Sequence, residues 1–144
     1  PANEPDIAYP YLFSYFPGEE WRTQKLVPQL VNAHFKNAPN GIPGNDDTGT
    51  MSAWAIFSMM GFYPDCPGVP EYTLTTPMFD KVTIKLDPRY YKESELVITA
   101  HKPADGGEAP YIGRVELGGK RHKGFRITHD DLVHARTLDF YLKD

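Results

Sequence analysis

The chain has very little cysteine, since Cys66 is the single one among 144 residues. One thiol excludes an internal disulfide framework and a cysteine-based metal set. Basic clusters are also scarce: the longest is Lys120-Arg121-His122-Lys123, and the formal net charge is −4. This balance argues against a partner with a phosphate backbone or an anionic membrane surface. No apolar run approaches the roughly 18 residues that span a bilayer. We therefore expect no nucleic-acid partner and no membrane segment.

The composition does fit a folded chain. A hydrophobic content of 40% and an aromatic content of 13% are typical of a globular protein, and the length suffices for one ordinary core. Before Pro64 apolar residues recur at helical spacing, whereas after it short β-branched and aromatic runs alternate with turn signals. The sequence therefore predicts an α+β chain, with a few helices followed by a small antiparallel β-sandwich.

The first two predicted helices lie ahead of a long loop. A short aromatic helix is expected over residues 8–16 and is ended by Pro17-Gly18. A second helix begins at Glu19-Glu20, and its apolar residues are spaced by three and four positions up to Phe35. Pro28 lies inside this pattern and must mark either a kink or a restart, because proline lacks an N–H and crowds the preceding turn.

The third predicted helix covers residues 49–60, with Gly61 as its C-cap. It is apolar on nearly all faces, so it should be buried on nearly all faces. Its apolar side chains include Trp54 and Ile56, and a chain with so few helices cannot cover all of them. We therefore expect this chain to be part of something larger, or to self-associate through helix 49–60.

Six strands are expected at 72–76, 81–86, 95–100, 113–117, 124–128 and 137–142. The first two are expected to pair, and the fourth and fifth to flank a hairpin turn at Gly118-Gly119. Between the last two strands, His129-Asp130-Asp131-Leu132 is typical of one capped helical turn.

The most informative segment is the loop 37–49, which ends in Gly44-Asn45-Asp46-Asp47-Thr48-Gly49. Adjacent aspartates repel each other and favour neither helix nor strand, so such a pair is typical of a site that holds a cation or activates a water. The simpler interpretation is a helix N-cap with a solvated neighbour. Asp130-Asp131 lacks the glycines and the asparagine, and we interpret that pair as a cap.

Residues 44–54 resemble a block of glycoside hydrolase family 92, the calcium-dependent exo-acting α-mannosidases, which reads Gly-Asn-Asp-Asp-x-Gly-x-Met-Ser-Ala-Trp. The resemblance continues through Gly61-Phe62-Tyr63-Pro64 and Pro67-Gly68 to Asp80-Lys81-Val82. Upstream, Asn3-Glu4-Pro5-Asp6 looks like the family's Asn-Glu-Pro block. The similarity is dense over residues 2–85 and thins afterwards.

The resemblance implies that this chain is the C-terminal piece of a larger enzyme. Residues 1–64 would be the last helices of an (α/α)6 barrel, and residues 65–144 a β-sandwich-like domain. The parent would hydrolyse α-linked mannose with inversion and would release it from glycans such as N-glycans. The expected linkage is α-1,2. Its partners would be the mannose-containing glycan and the remainder of the parent. The piece alone should be inactive, because the family's acid residue lies upstream.

The location of the parent is expected to be secreted, periplasmic or at the cell surface. No signal peptide is visible, but Pro1 does not look like a native start, so its absence says little.

The chemistry of inversion limits what the aspartate pair can supply. Two carboxyl groups must stand about 6.5–9.5 Å apart on opposite faces of the sugar. Adjacent Asp46 and Asp47 can supply only the general-base side, which is also the role that the resemblance implies for them. The choice between the two stays open. The resemblance further implies substrate contacts from Gly44, Asn45 and Glu4.

Calcium is the cofactor that the resemblance implies, with Glu4 and Asn3 as ligands from this chain. Calcium takes six to eight oxygens. A helix cap with a first-turn acid is the alternative interpretation of Asn3-Glu4.

No nucleophile arrangement competes with this interpretation. The histidines are scattered and show no metal-ligand spacing: His34, His101, His122, His129 and His134. Ser52 lacks a Gly-x-Ser-x-Gly frame. The rival function is a carbohydrate-binding or structural β-module made by residues 65–144. Trp21 and Trp54, the two tryptophans, both lie outside that region.

Overall fold

The computed structural model describes residues 3–144 and begins with helices. Two 3-10 helices, Glu4–Asp6 and Tyr9–Tyr15, precede the α-helices α1 (Glu20–His34) and α2 (Thr50–Met60). The strands are β1 Phe62–Tyr63, β2 Glu71–Leu74, β3 Lys81–Lys85, β4 Glu95–His101, β5 Tyr111–Leu117, β6 Lys120–His122, β7 Arg126–Thr128 and β8 Thr137–Lys143, and α3 (His129–His134) precedes β8. The predicted α+β class is confirmed.

The strands form a three-stranded sheet in the order β1-β2-β7 and a five-stranded sheet in the order β3-β4-β8-β5-β6. The small sheet is antiparallel, as expected. In the larger sheet β4 and β8 run parallel, a pairing that the expected antiparallel sandwich did not include. The chain passes through β5, β6, β7 and α3 between these two strands. Such a long connection permits parallel pairing, whereas a short hairpin permits only antiparallel pairing.

Two of the expected strand pairings are wrong. β2 and β3 lie in different sheets, because the connecting residues pack against the end of α2 instead of turning back. The amides of Thr75 and Met78 donate to the carbonyls of Gly61 and Met59, at 2.9 Å each. The hairpin partner of β5 is β6, and not the segment that becomes β7.

The basic stretch after Gly118-Gly119 therefore forms a strand. Both glycines have positive φ angles, 56° and 73°, as a tight turn requires. Gly124 also has a positive φ, 81°, and the chain then leaves the larger sheet to pair with β2.

Two hydrophobic clusters meet at α2. The first contains Tyr11, Val27, Val31 and Trp54 from the helices. The second lies between the sheets and contains Leu96, Ile98, Leu138 and Phe140, with Phe62 from β1. Phe57 of α2 packs against both clusters, so the helical part and the β part share their packing.

The helix α1 continues through Pro28 without a restart. Its buried face includes Val27 and Val31, on either side of the proline. Packing of this face against Trp54 supports the helix where the proline removes a hydrogen bond.

The apolar helix α2 is largely covered. Met51 and Trp54 are fully buried, whereas Ile56 is 50% exposed. Exposed aromatic side chains also lie on the 3-10 helix Tyr9–Tyr15 and just after it, where Tyr9 and Phe16 are each 62% exposed. Within the described residues, no helix has the length and apolar character needed to cross a bilayer.

Candidate active site

The loop before α2 is closed at its base by backbone hydrogen bonds. The Lys36 amide donates to the Gly41 carbonyl at 2.8 Å, and the Gly41 amide donates to the Ala38 carbonyl at 2.9 Å. A Cβ atom at Gly41 would lie 1.8 Å from the Lys36 carbonyl oxygen. The closure therefore requires glycine at this position.

The loop enters α2 through three consecutive left-handed residues. Asp47, Thr48 and Gly49 have φ angles of 50°, 60° and 97°. A non-glycine residue in this region costs about 1–2 kcal/mol. The cost is offset by hydrogen bonds around the bend: the Thr50 hydroxyl donates to the Asp47 carbonyl at 2.8 Å, and the Met51 amide donates to the Asp46 carbonyl at 3.1 Å. Strained backbone that its surroundings hold in place is typical of functional sites.

The two aspartates use their carboxylates differently. Asp46 Oδ1 accepts a hydrogen bond from the Ser52 amide in the first turn of α2, at 2.8 Å. Among the described residues, the Asp47 carboxylate has no hydrogen-bond partner, although its amide donates to Asn45 Oδ1 at 3.3 Å. Both side chains are half-buried. The cap interpretation therefore accounts for Asp46 and leaves Asp47 unexplained.

The block Asn3-Glu4 also contains a cap. Asn3 Oδ1 accepts from the Glu4 amide at 3.1 Å and begins the 3-10 helix Glu4–Asp6. The cap interpretation thus accounts for Asn3, while Glu4 is exposed. Burial raises the pKa of Tyr63, and the charges of Asp65 and Glu4 raise it further, so Glu4 lies within electrostatic reach of β1.

Both candidate segments are attached to the same helix. Trp54 Nε1 donates to the Ile7 carbonyl at 2.9 Å, which holds the Asn-Glu-Pro segment against α2. Asp46 is bound to α2 half a turn earlier, at Ser52. Sequence analysis did not anticipate the Trp54 contact, because a buried tryptophan in an apolar helix gives no sign that its N–H holds another segment.

The implied calcium ion does not find a complete site in this chain. Residues 3–144 contain no group of three or more His, Cys, Asp and Glu side chains placed to hold a metal ion. Asn3 already uses its side-chain oxygen in the cap. Because calcium needs at least six oxygens, the described residues cannot hold the ion by themselves.

The histidines His129 and His101 contact other side chains in the β part. His129 lies between the hydroxyls of Tyr72 and Tyr91, at 2.8 and 3.3 Å. His101 Nε2 lies 2.8 Å from Asp139 Oδ1, on the outer face of the larger sheet. None of these contacts includes a serine or cysteine nucleophile.

A cleft of about 490 Å³ lies between the start of α1 and β5, lined by Trp21 and Tyr111 among others. Neither Asp46 nor Asp47 borders it. The other clefts described are likewise not lined by Asp46 or Asp47.

Comparison with known proteins gives the loop its context. The model of the glycosyl hydrolase family 92 catalytic domain matches residues 1–144. The chain therefore belongs to glycosyl hydrolase family 92, a family of glycoside hydrolases.

The relatives are much longer than this chain. An uncharacterized secreted glycosidase of Arthroderma benhamiae is 30% identical over 142 residues, which are 98% of this chain and 18% of that protein. A family 92 α-mannosidase of Bacteroides thetaiotaomicron, solved with mannoimidazole, aligns with a TM-score of 0.85 at 28% identity. A family 92 inverting mannosidase of the same species aligns with a TM-score of 0.82 at 33% identity. In both alignments 99% of this chain covers 18% of the solved chain.

Proposed function

We propose that this chain acts as the C-terminal part of an exo-acting α-mannosidase that removes α-1,2-linked mannose from glycans with inversion. Residues 1–64 supply the last helices of its barrel and residues 65–144 its β-domain. The proposal rests on family membership and on the likeness to solved α-mannosidases, one of which is described as inverting. We also propose that the parent enzyme works outside the cytoplasm, because the Arthroderma benhamiae relative is described as secreted.

The observation that supports the proposed chemistry is the strained loop, in which the Asp47 carboxylate has no hydrogen-bond partner among the described residues. Inversion requires a general base that takes a proton from water on the face of the sugar opposite the leaving group. We propose Asp47 as that base, because its carboxylate makes no hydrogen bond in the described residues and is free to accept one from water. Asp46 fixes the loop through Ser52 and leaves its second oxygen to orient the water.

The general acid and the enclosure of the sugar must come from outside this chain. Gly44, Asn45 and Glu4 are proposed to contact mannose hydroxyls from this side. Glu4, with Asn3 beside it, is proposed as this chain's contribution to a calcium site, which other residues would complete. When bound, the ion would hold and orient sugar hydroxyls.

The rival β-module is not favoured by the packing. The β core contains Phe62 of β1 and contacts Phe57 of α2, both upstream of residue 65. A module of residues 65–144 would lose β1 and expose this surface.

The test is a comparison of Asp47→Asn and Asp46→Asn in the complete polypeptide, with an aryl α-mannoside as substrate. We expect Asp47→Asn to have the lower kcat. Near-native kcat in both variants would remove the basis of the proposal.

A further inference from the structure

Arg126, the first residue of β7, reaches from the β part into the helical part. Its backbone is fixed opposite Thr73 of β2. Its guanidinium carbon lies 4.0 Å from the centre of the Tyr15 ring, and Nη2 lies 3.4 Å from Ser14 Oγ. Both partners belong to the 3-10 helix Tyr9–Tyr15. Arg126 therefore joins the β part to the C-terminal end of this helix.

The counter-charge of Arg126 is a buried carboxylate. The Asp65 side chain is only 2% exposed, and its Oδ1 accepts from the Thr73 hydroxyl at 2.7 Å. Its Oδ2 is buried without a hydrogen-bond partner among the described residues, although Arg126 Nη2 lies 3.5 Å away. Glu71 adds a second carboxylate, 3.9 Å from Nη1.

This arrangement is a poor way to gain stability. Desolvation of a buried ion pair can cost more than the attraction returns, and a well-packed apolar pair is often at least as stable. A buried oxygen without a hydrogen bond adds to the cost. A pair of this kind is better explained by what it holds in place.

We propose that Arg126 is a positioning residue, which with Asp65 as counter-charge fixes the 3-10 helix Tyr9–Tyr15 and, through it, the Asn3-Glu4 block, which is held to α2 through Ile7 as the aspartate loop is held through Asp46. The functional half of this inference rests on the proposed function. Arg126 contacts no reacting atom and acts through Ser14 and Tyr15.

The attachment of the 3-10 helix explains how Arg126 acts at a distance. The Ile7 carbonyl accepts from Trp54, and the Tyr11 hydroxyl lies 2.7 Å from Ser58 Oγ, so one side of the segment is bound to α2. Arg126 binds its other side to the β part. Without Arg126 the segment keeps its attachments to α2, the hydrogen bond from the Thr23 hydroxyl of α1 to the Pro10 carbonyl, and the stacking of Tyr11 on Tyr63. Its C-terminal end at Ser14 and Tyr15 loses the Arg126 contact, and we expect the segment to shift and to displace Glu4.

The experiment uses the complete polypeptide with the variants Arg126→Met, Asp65→Leu and the double variant. Arg114→Met is the matched control, because Arg114 lies 3.8 Å from the centre of the Tyr141 ring on the other sheet. Thermal unfolding, kcat and KM for an aryl α-mannoside, and amide hydrogen exchange over residues 9–16 are measured for each.

Arg126→Met is expected to lower the Tm, because it leaves Asp65 charged and buried, and the double variant should recover that Tm. Despite its recovered stability, the double variant should lose about tenfold in kcat/KM, since sub-ångström misplacement of a site is costly. Its amides over residues 9–16 should exchange about tenfold faster, a local opening that global stability does not report. Arg114→Met should change neither kcat/KM nor the amide exchange over residues 9–16.

Unchanged exchange over residues 9–16 in the double variant would overturn the inference, whatever the activity. Wild-type kcat/KM in that variant would overturn its functional half. If the complete polypeptide does not hydrolyse α-mannosides at all, the proposed function fails, and the exchange comparison still decides whether Arg126 positions the helix.

Discussion

The chain contains two Asp-Asp pairs next to helices, and they behave differently. At α3 the cap is local: Thr128 has an extended backbone, its hydroxyl accepts from the Asp131 amide at 3.1 Å and donates to Asp131 Oδ2 at 2.7 Å. Asp130 and Asp131 are both exposed and lie within the helix. At α3 the Asp131 side of this pair is part of the helix cap, and we assign the pair no chemical role.

At α2 the N-cap residue is Gly49, which has no side chain to offer. The capping oxygen comes from Asp46, six residues before its partner Ser52, so the chain between them must bend back. The left-handed residues Asp47 and Thr48 make that bend, and the Asp47 carboxylate is left without a partner in the described residues. The same dipeptide therefore lies in the first turn of a helix capped by Thr128 in one place, and in a strained loop between glycines in the other.

The strongest test of this difference is the isolated chain itself. We expect no measurable α-mannosidase turnover from the 144 residues with an activated aryl α-mannoside and calcium, because the Asp46-Asp47 loop supplies only one of the two carboxyl groups. The control is a buffer blank and the Asp46→Ala variant. Turnover above the blank that disappears in this variant would show that the chain needs no upstream acid.

Substitution separates the two pairs within the complete enzyme. Asp47→Asn should lower kcat by at least about 10²-fold, because a general base contributes about 10²–10⁴. The matched controls are Asp130→Asn and Asp131→Asn, which should keep kcat near the native value. Steady-state kinetics of the four single variants, with Asp46→Asn included, make the comparison. An equal loss at both pairs would mean that the kinetics report stability and not chemistry.

Calcium removal tests a third acidic segment, Asn3-Glu4, by comparing the complete enzyme with the isolated chain. Chelation should abolish most activity of the complete enzyme, and added calcium should restore it, whereas the isolated chain should bind calcium at millimolar levels or more weakly. The reason is that calcium needs six or more oxygens around one point, and the described residues contain no group of three or more acidic, histidine or cysteine side chains placed to hold a metal ion. Calorimetry on the isolated chain is the measurement, and micromolar affinity there would contradict the expectation.

The helices were easier to predict than the sheets. Their ends carry local signals: Gly61 has a φ of 99° as the C-cap of α2, and its amide donates to the carbonyls of Phe57 and Ser58. Strand partners depend on contacts far along the chain. The segment 124–128, which contains β7, was expected to turn back on β5, but after Gly124, whose φ is positive, it pairs with β2. No local pattern distinguishes these two routes.

The candidate site divides in the same way. The loop and its carboxylates were visible in the sequence, because glycines and adjacent aspartates are local features. Which carboxylate caps α2 was not visible, since it depends on a bend through Asp47 and Thr48. The Asp65–Arg126 contact joins residues 61 positions apart and leaves no periodic trace, so sequence analysis had no basis for proposing it.

Glycine substitution tests whether the loop geometry is as constrained as its contacts indicate. Gly41→Ala should lower the free energy of unfolding by about 3 kcal/mol, at the upper end for overpacking, because its Cβ would lie 1.8 Å from a backbone oxygen. Gly49→Ala should cost about 1–2 kcal/mol, because φ is 97° but nothing lies within 4 Å of the new atom. Urea unfolding of both variants tests the order, which equal costs would refute.

The smallest expected effects are those of substitutions at the N-terminus of α3. Thr128→Ala removes the oxygen that accepts from the Asp131 amide, and should cost about 1 kcal/mol. Asp130→Ala should change stability by no more than about 0.5 kcal/mol, because its side chain is 88% exposed and its 3.3 Å contact with His134 is at the surface. Urea unfolding of the two variants gives both values.

Neither substitution at α3 should alter kcat in the complete enzyme, because the cap at Thr128 and the loop at Asp47 have no hydrogen bond in common. This is the point at which the two Asp-Asp pairs are separated most cleanly. The α3 pair should change stability without changing catalysis, whereas Asp47→Asn should change catalysis with little loss of stability, since its carboxylate supports no other described residue. A catalytic defect in Thr128→Ala, measured well below its Tm, would show that the two helix ends are coupled and that the comparison between them does not hold.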